Sequence, residues 1–167
     1  MADTLSVKLV TPTRKLYEAE ATNIIAPGAN GEFGIMTGHD PWMVALGMGP
    51  LKIQNTNGEL EQFFTNGGFC QIDEDKVVIL AEVCEASIHI DVTRAENAKK
   101  RAEERIAASP KDDSIDLLRA EAALRRALYR LDIAGDRARE KILPCSARGL
   151  TAAGVVFAGQ NAPRNLN

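Results

Sequence analysis

Arginine side chains on one side of a predicted helix are the residues of this sequence best suited to bind a ligand. Plotted at 100° per residue, three of them fall within about 40° of one another: Arg119, Arg126 and Arg130. A preceding predicted helix carries another charged trio on one face: Asp91, Arg94 and Arg101. A guanidinium is planar, permanently charged and able to bind phosphate oxygens through two donors. Two such faces side by side would bind a polyphosphate, although charged residues opposite a leucine stripe usually form only the solvated side of an amphipathic helix.

The motifs of common catalytic and metal sites are missing from the sequence. There is no Gly-x-x-x-x-Gly-Lys-Ser/Thr loop for phosphates. The only two histidines, His39 and His89, lie 50 positions apart, and no histidine–cysteine cluster has zinc spacing. We therefore expect neither an enzyme nor a metal site, and no required cofactor.

The composition is typical of a soluble globular protein. Of the 167 residues, 45% are apolar and 26% charged, with a formal net charge of −3. The longest uncharged run, 149–163, has 15 residues, whereas a helix that spans a bilayer needs about 20. The first residues lack the basic flank and apolar run of a secretory signal. We expect the cysteines to be reduced, with Cys70 and Cys84 as small core residues.

Charge divides the elements that must position these residues into two groups. Residues 1–90 hold 5 basic and 12 acidic side chains, whereas residues 91–148 hold 14 basic and 11 acidic ones. This change in composition predicts a domain boundary. The expected units are a β domain (1–88), a helical domain (89–143) and a disordered tail (144–167).

The first unit has the pattern of a small β-sandwich or barrel. Leu5, Val7 and Leu9 alternate with polar residues, as in a strand with one buried face. Further short strands are predicted at 21–26, 51–54, 62–65, 69–72 and 77–83. Asn57-Gly58 predicts a hairpin, and Asn66-Gly67-Gly68 predicts a turn between two of these strands.

The second unit has the pattern of two antiparallel helices. The first is predicted from Asp91 to Ser109, with a stripe of small residues at helical spacing: Ala95, Ala98, Ala102 and Ile106. Asp91 is also suited to be its N-cap. The second helix runs to at least Ile133, and four leucines fall within a 60° arc: Leu117, Leu124, Leu128 and Leu131. We expect this leucine stripe to pack against the alanine stripe, with the arginines opposite it.

Several motifs, in this order of elements, are similar to those of a known family. The longest is Gly31-Glu32-Phe33-Gly34-Ile35-Met36-Thr37-Gly38-His39-Asp40-Pro41, and shorter ones are Val10–Pro12, Asn66–Phe69 and Val77–Ala81. Over residues 3–134 the chain resembles the epsilon subunit of bacterial F-type ATP synthase, the counterpart of the mitochondrial delta subunit. Thr37 and Trp42 depart from the residues that are usual in that family.

The resemblance implies a ten-stranded β-sandwich followed by a two-helix hairpin, in a subunit that does no chemistry. Such subunits join the gamma subunit to the c-ring of the membrane sector. By resemblance, Glu32, Gly38 and His39 lie near the polar loops of the c-ring. Glu32 could equally be an exposed turn acid, and His39 could simply stabilise its own turn. Trp42 could be either a core residue or a partner contact.

The resemblance also implies a regulatory ATP site on the hairpin. Members that bind ATP open the first helix with Ile/Leu-Asp-x-x-Arg-Ala, which is Ile90-Asp91-Val92-Thr93-Arg94-Ala95 here. The positions that fit the complete site are Glu85, Ile90, Asp91, Arg94, Arg101, Arg126 and Arg130. A second copy of the motif, at 115–120, is interpreted mainly as a helix start.

The resemblance therefore predicts a rotor subunit of a proton-translocating ATP synthase. We expect it to be peripheral, on the cytoplasmic face of the bacterial plasma membrane. Its helices, when extended, would contact the alpha and beta subunits and inhibit ATP hydrolysis. The alternative is a nucleic-acid-binding basic hairpin on a β scaffold, but Tyr129 is the only aromatic residue there for stacking on bases.

Overall fold

The computed structural model describes residues 4–109 and 116–142, and the side chains of the second range as far as Asp136. The predicted tail at 144–167 and Cys145 lie outside these residues. Seven strands come first: β1 (Leu5–Val10), β2 (Lys15–Gly28), β3 (Gly31–Ile35), β4 (Trp42–Ala45), β5 (Met48–Asn55), β6 (Leu60–Asp73) and β7 (Lys76–Ala86). A 3-10 turn (Ser87–His89) leads into two helices: α1 (Val92–Ala108) and α2 (Leu117–Ile142). No helix within the described ranges is both long and apolar enough to cross a membrane.

The strands form a closed, flattened sandwich in which three long strands serve both layers. The first half of β2 pairs with β1, and its second half pairs with β5 and β3. Along one edge, β6 pairs first with β5 and then with β4. On its other edge β6 pairs with β7 throughout, and the first half of β7 also pairs with β1. The prediction of a β-sandwich followed by a two-helix hairpin is confirmed. The described chain has seven continuous strands rather than ten, because β2, β6 and β7 each run through both layers.

The predicted turn at Asn66-Gly67-Gly68 is wrong, because these residues lie inside β6. Gly67 and Gly68 have φ angles of 78° and 123°, which bend the strand where it changes partner. A Cβ on Gly68 would lie 2.1 Å from the carbonyl oxygen of Leu80, so no larger residue fits there. The glycines therefore bend a strand without ending it. β3 and β4 were not predicted from the sequence, because they have only five and four residues.

The main core lies between the two layers and contains the alternating residues that predicted β1. Leu5, Val7 and Leu9 are buried there, as are the described cysteines Cys70 and Cys84. Burial raises the pKa of both thiols to about 12. The expectation that these two cysteines are small core residues is confirmed.

Both helices begin at an aspartate that caps the helix. The backbone N–H of Arg94 donates to the carboxylate of Asp91, and that of Arg119 donates to Asp116, each at 3.0 Å. The second copy of the Ile-Asp-x-x-Arg-Ala motif is interpreted as a helix start, and the cap at Asp116 agrees with that interpretation. The N-terminal half of α1 faces the C-terminal half of α2, as expected for an antiparallel pair.

The face through which α2 packs differs from the predicted one. Its buried residues are Ala120, Ala127, Ala134 and Ile133, and those of α1 are Ala95 and Ala102. Leu117 and Leu128 remain 42% and 43% exposed. Small side chains on both helices allow the backbones to approach closely, which leaves the leucines beside the contact instead of in it. The expected packing of the whole leucine stripe against the alanines is therefore wrong.

A second, smaller core holds the hairpin against the sandwich. Phe64 of β6 and Ile90 pack with Ile133 and Ala134 of α2, and half-buried Met48 closes one side. This contact fixes the C-terminal half of α2 close to the end of β7.

Candidate functional site

A cavity of about 290 Å³ opens where β7, α1 and α2 meet. Its lining residues come from all three elements and the 3-10 turn: Glu85, His89, Asp91, Arg94, Ala95, Ala98, Arg101, Ala127 and Arg130. The three alanines provide the space, and the charged side chains form the rim. The site exists because α1 packs on α2 through small residues, and α2 packs on the sandwich beside the end of β7.

The structure brings together most of the residues that sequence analysis assigned to a nucleotide site. Glu85, Asp91, Arg94, Arg101 and Arg130 all line the cavity. Arg126, which is half-buried on α2, is not among the lining residues. The side chain of Ile90 is 6% exposed and belongs to the smaller core. Ile90 therefore does not line the cavity but packs in the core next to it.

Arg130 makes the strongest polar contact of the site. Its Nε and Nη2 each donate to a different carboxylate oxygen of Glu85, both at 2.9 Å. The guanidinium carbon lies 4.3 Å from the centre of the Phe64 ring. The side chains of Arg130 and Glu85 are 24% and 38% exposed. This bidentate pair connects the hairpin to the sandwich, so Arg130 is not on a merely solvated helix face.

Three other charged residues of the rim, Asp91, Arg94 and Arg101, are exposed. Asp91 is committed to capping α1, which places its carboxylate at the cavity edge. Arg94 and Arg101 point from exposed positions of α1, two turns apart on one face. A cavity bordered by three guanidiniums is suited to hold an anion such as a polyphosphate. No group of three or more metal-binding side chains occurs in the described part of the chain.

His89 lines the cavity but was not assigned to the site by sequence analysis. It ends the 3-10 turn that carries the chain from β7 into α1. The signal that could have identified it is its place between Glu85 and Asp91 in the sequence, since a short link keeps all three close together.

The residues that the resemblance places near a c-ring lie elsewhere, in β3 and in the segment between β3 and β4. Glu32 is exposed on β3, and Gly38 is exposed with a φ of 75°. His39 Nδ1 donates to the carbonyl oxygen of Asp40 at 2.7 Å. The alternative interpretation of His39, as a residue that stabilises its own turn, therefore has a geometric basis. Trp42 is on β4, 45% exposed, so it is not a core residue.

Breaking the Glu85–Arg130 pair is expected to loosen the hairpin. In an Arg130→Ala variant, α2 should lose about 1–2 kcal/mol of protection against local opening, because a charged bidentate contact and a cation–π contact are lost. The value is below that of a fully buried pair, since Glu85 is more than one-third exposed. Amide hydrogen exchange over residues 120–134 measures it.

An Arg125→Ala variant is the matched control, because Arg125 is an exposed arginine on the same helix. It should leave exchange over residues 120–134 unchanged. Equal protection in the Arg130→Ala variant and the native chain would show that the pair does not hold the hairpin.

Comparison with known families matches both parts of the chain. Residues 4–87 match the family model described as "ATP synthase, Delta/Epsilon chain, beta-sandwich domain". Residues 89–135 match "ATP synthase, Delta/Epsilon chain, long alpha-helix domain".

Individual relatives extend this likeness over most of the chain. The ATP synthase epsilon chain of Desulforapulum autotrophicum is 42% identical over 133 residues, which are 80% of this chain and 97% of that one. The epsilon chain of Geotalea daltonii is 40% identical over 140 residues, 83% of this chain and 99% of the relative. A chain in the Euglena gracilis mitochondrial ATP synthase structure has a similar fold, with a TM-score of 0.67, 19% identity and 82% of each chain covered.

Proposed function

The chain belongs to the ATP synthase delta/epsilon chain family, and on that basis we propose that it joins the gamma subunit to the c-ring as the epsilon subunit of the central stalk. The family is that of a structural, non-catalytic subunit. The observation that carries the proposal is the match of both domains, in order, over nearly the whole length of the relatives. Membership of this family also favours a rotor subunit over the nucleic-acid-binding alternative.

An exposed apolar surface on the sandwich supports the contact with gamma. Phe69 of β6 lies directly opposite Leu80 of β7, and both side chains are at least half exposed. Met43 of β4 points from the same face, because β4 pairs with β6 and Ala45 lies opposite Phe69. Adjacent exposed apolar side chains of this size mark a partner surface. We assign this apolar surface (Met43, Phe69 and Leu80) to gamma.

The c-ring contact is assigned to Glu32, Gly38 and His39. Glu32 and Gly38 are exposed, and His39, which directly follows Gly38, is half-buried. These polar groups suit the polar loops of a membrane ring better than the apolar surface does. The protein would then be peripheral, on the cytoplasmic face of a bacterial plasma membrane, within a proton-translocating complex.

Co-purification tests the rotor assignment. Pulling down the tagged full chain from detergent-solubilised membranes should also recover gamma and the c-ring. A Phe69→Lys variant should recover much less gamma, because the change places a charge in the apolar surface. Leu60→Lys is the matched control, since Leu60 is a partly exposed residue near the other end of the same strand. Failure of the native chain to bring down either partner would contradict the assignment.

The hairpin is proposed to be a regulatory element with two arrangements. Packed on the sandwich, it is held by the smaller core and by the Glu85–Arg130 pair. Extended along gamma, its helices would reach the alpha and beta subunits and inhibit ATP hydrolysis. A nucleotide in the cavity would contact β7, α1 and α2 at once, and only in the packed arrangement. It would therefore favour that arrangement by no more than its difference in affinity for the two states.

A further inference from the structure

The six residues between β3 and β4, here called the docking segment (residues 36–41), carry the proposed c-ring contacts Gly38 and His39. They form a connection between two short strands and are not part of either strand. A connection of this kind loses conformational freedom when it binds a partner, unless other contacts already order it. The structure shows contacts on two sides of the docking segment.

Aromatic rings support the docking segment on its β4 side. The ring of His39 stacks on that of Trp42, with centroids 5.9 Å apart and planes at 16°. Phe33 of β3 meets Trp42 edge to face at 5.5 Å and 75°. Phe33 of β3 therefore holds Trp42 in place while Trp42 supports the histidine ring. This explains why His39 is half-buried between exposed neighbours.

Asp75 supports the docking segment from the turn between β6 and β7. The backbone N–H of Gly38 donates to Asp75 Oδ1 at 3.2 Å. The backbone carbonyl of Asp75 accepts from the N–H of Ser6 at 2.7 Å, which ties the same residue to β1. The turn itself is tight, because Glu74 has a φ of 52°. Asp75 thus connects the docking segment to the rigid part of the sandwich.

We infer that Trp42 and Asp75 are positioning residues that order the Gly38–His39 turn before it meets the c-ring. This inference depends on the proposed function, because it concerns the same contact. Trp42 acts through the ring of His39, and Asp75 acts through the N–H of Gly38. If the turn is already ordered, binding does not have to restrict its conformation. Affinity for the c-ring should therefore depend on Trp42 and Asp75 even where these residues do not touch the c-ring.

Affinity for the epsilon-depleted complex, with its c-ring in detergent, tests the inference. Trp42→Leu and Asp75→Ala should each weaken binding about fivefold, the size expected for one lost ordering contact. Trp42→Phe keeps an aromatic ring, and Asp75→Asn keeps an acceptor oxygen, so both should retain near-native affinity. Rescue by these conservative variants separates positioning from a general loss of the fold.

Trp42 is the only tryptophan of the chain, so its fluorescence reports on the turn in the isolated protein. Time-resolved anisotropy should show faster local motion of Trp42 in Asp75→Ala and in His39→Ala than in the native chain. Unchanged anisotropy in both variants would overturn the inference without reference to any partner.

The binding data distinguish this inference from the proposed contact itself. If His39→Ala and Glu32→Gln weaken binding but Trp42→Leu and Asp75→Ala do not, positioning is wrong and the c-ring contact stands. If none of the four variants changes binding, the proposed c-ring contact is wrong as well.

Discussion

Replacing Arg126 and Arg130 together by alanine is expected to weaken ATP binding 10- to 100-fold. Loss of a charged hydrogen-bond partner costs about 1.5–3 kcal/mol, which corresponds to that range. The measurement is a titration of ATP into the isolated full-length protein and into the double variant, followed by calorimetry. Arg125→Ala, an exposed change on the same helix, should bind as the native chain does.

Most of this loss should come from Arg130, because Arg130 lines the cavity and Arg126 does not. Arg130 can serve a nucleotide without leaving Glu85. The ion pair uses two of the five N–H donors of the guanidinium, so three remain for phosphate oxygens. We therefore expect Arg130→Ala alone to reproduce nearly the whole effect and Arg126→Ala alone to have a small one.

The opposite order of effects would mean that the nucleotide lies against another face of α2. A native protein that gives no saturable signal at millimolar ATP would remove the nucleotide proposal altogether. The proposed role as a rotor subunit does not depend on either outcome, because that role rests on both domains of the family and on the apolar surface.

Removing residues 91–167 is expected to raise ATP hydrolysis by the reconstituted complex about tenfold. If the extended hairpin blocks rotation in nine complexes of every ten, only about a tenth of the activity remains in the presence of the full chain. Steady-state hydrolysis by complexes with the full and the shortened chain measures the difference.

Two controls make the hydrolysis result specific to the hairpin. A chain that lacks only residues 144–167 separates the effect of the helices from that of the tail. The shortened chain must also co-purify with gamma, because its truncation uncovers Phe64 and Ile90 of the smaller core. Unchanged hydrolysis with a shortened chain that still binds gamma would refute the inhibitory role.

Added ATP should oppose inhibition if the cavity binds it. Nucleotide bound between β7, α1 and α2 would hold the packed arrangement, so hydrolysis by the complex with Arg130→Ala should respond less to ATP than the native complex does. The size of this response therefore tests both ATP binding to the hairpin and inhibition of hydrolysis by the hairpin.

Features that depend on neighbouring residues could be predicted from the sequence. The alternation of Leu5, Val7 and Leu9 predicted a half-buried strand, and Asn57-Gly58 predicted the β5–β6 hairpin. Asp91 and Asp116 stand directly before the two helices and cap them. The periodic alanines predicted two closely packed helices, and five of the site residues could be grouped by resemblance before the cavity was known.

Features that depend on distant residues required the tertiary structure. Glu85 and Arg130 are 45 positions apart and meet only because α2 packs on the end of β7. Gly67 and Gly68 resemble a turn locally, yet pairing with β7 on one side holds them inside a bent strand. The position of Trp42 depends on the pairing of β4 with β6.

The sequence by itself therefore determined the type and order of the two domains and most of the charged residues that line the cavity. Only the tertiary structure decided which face of α2 is buried, that Arg130 pairs with Glu85, and that Asp75 holds Gly38. The physical reason is the separation along the chain over which each kind of interaction acts. Backbone preferences and hydrophobic periodicity act over a few residues, whereas packing and ion pairing depend on how whole elements come together in space.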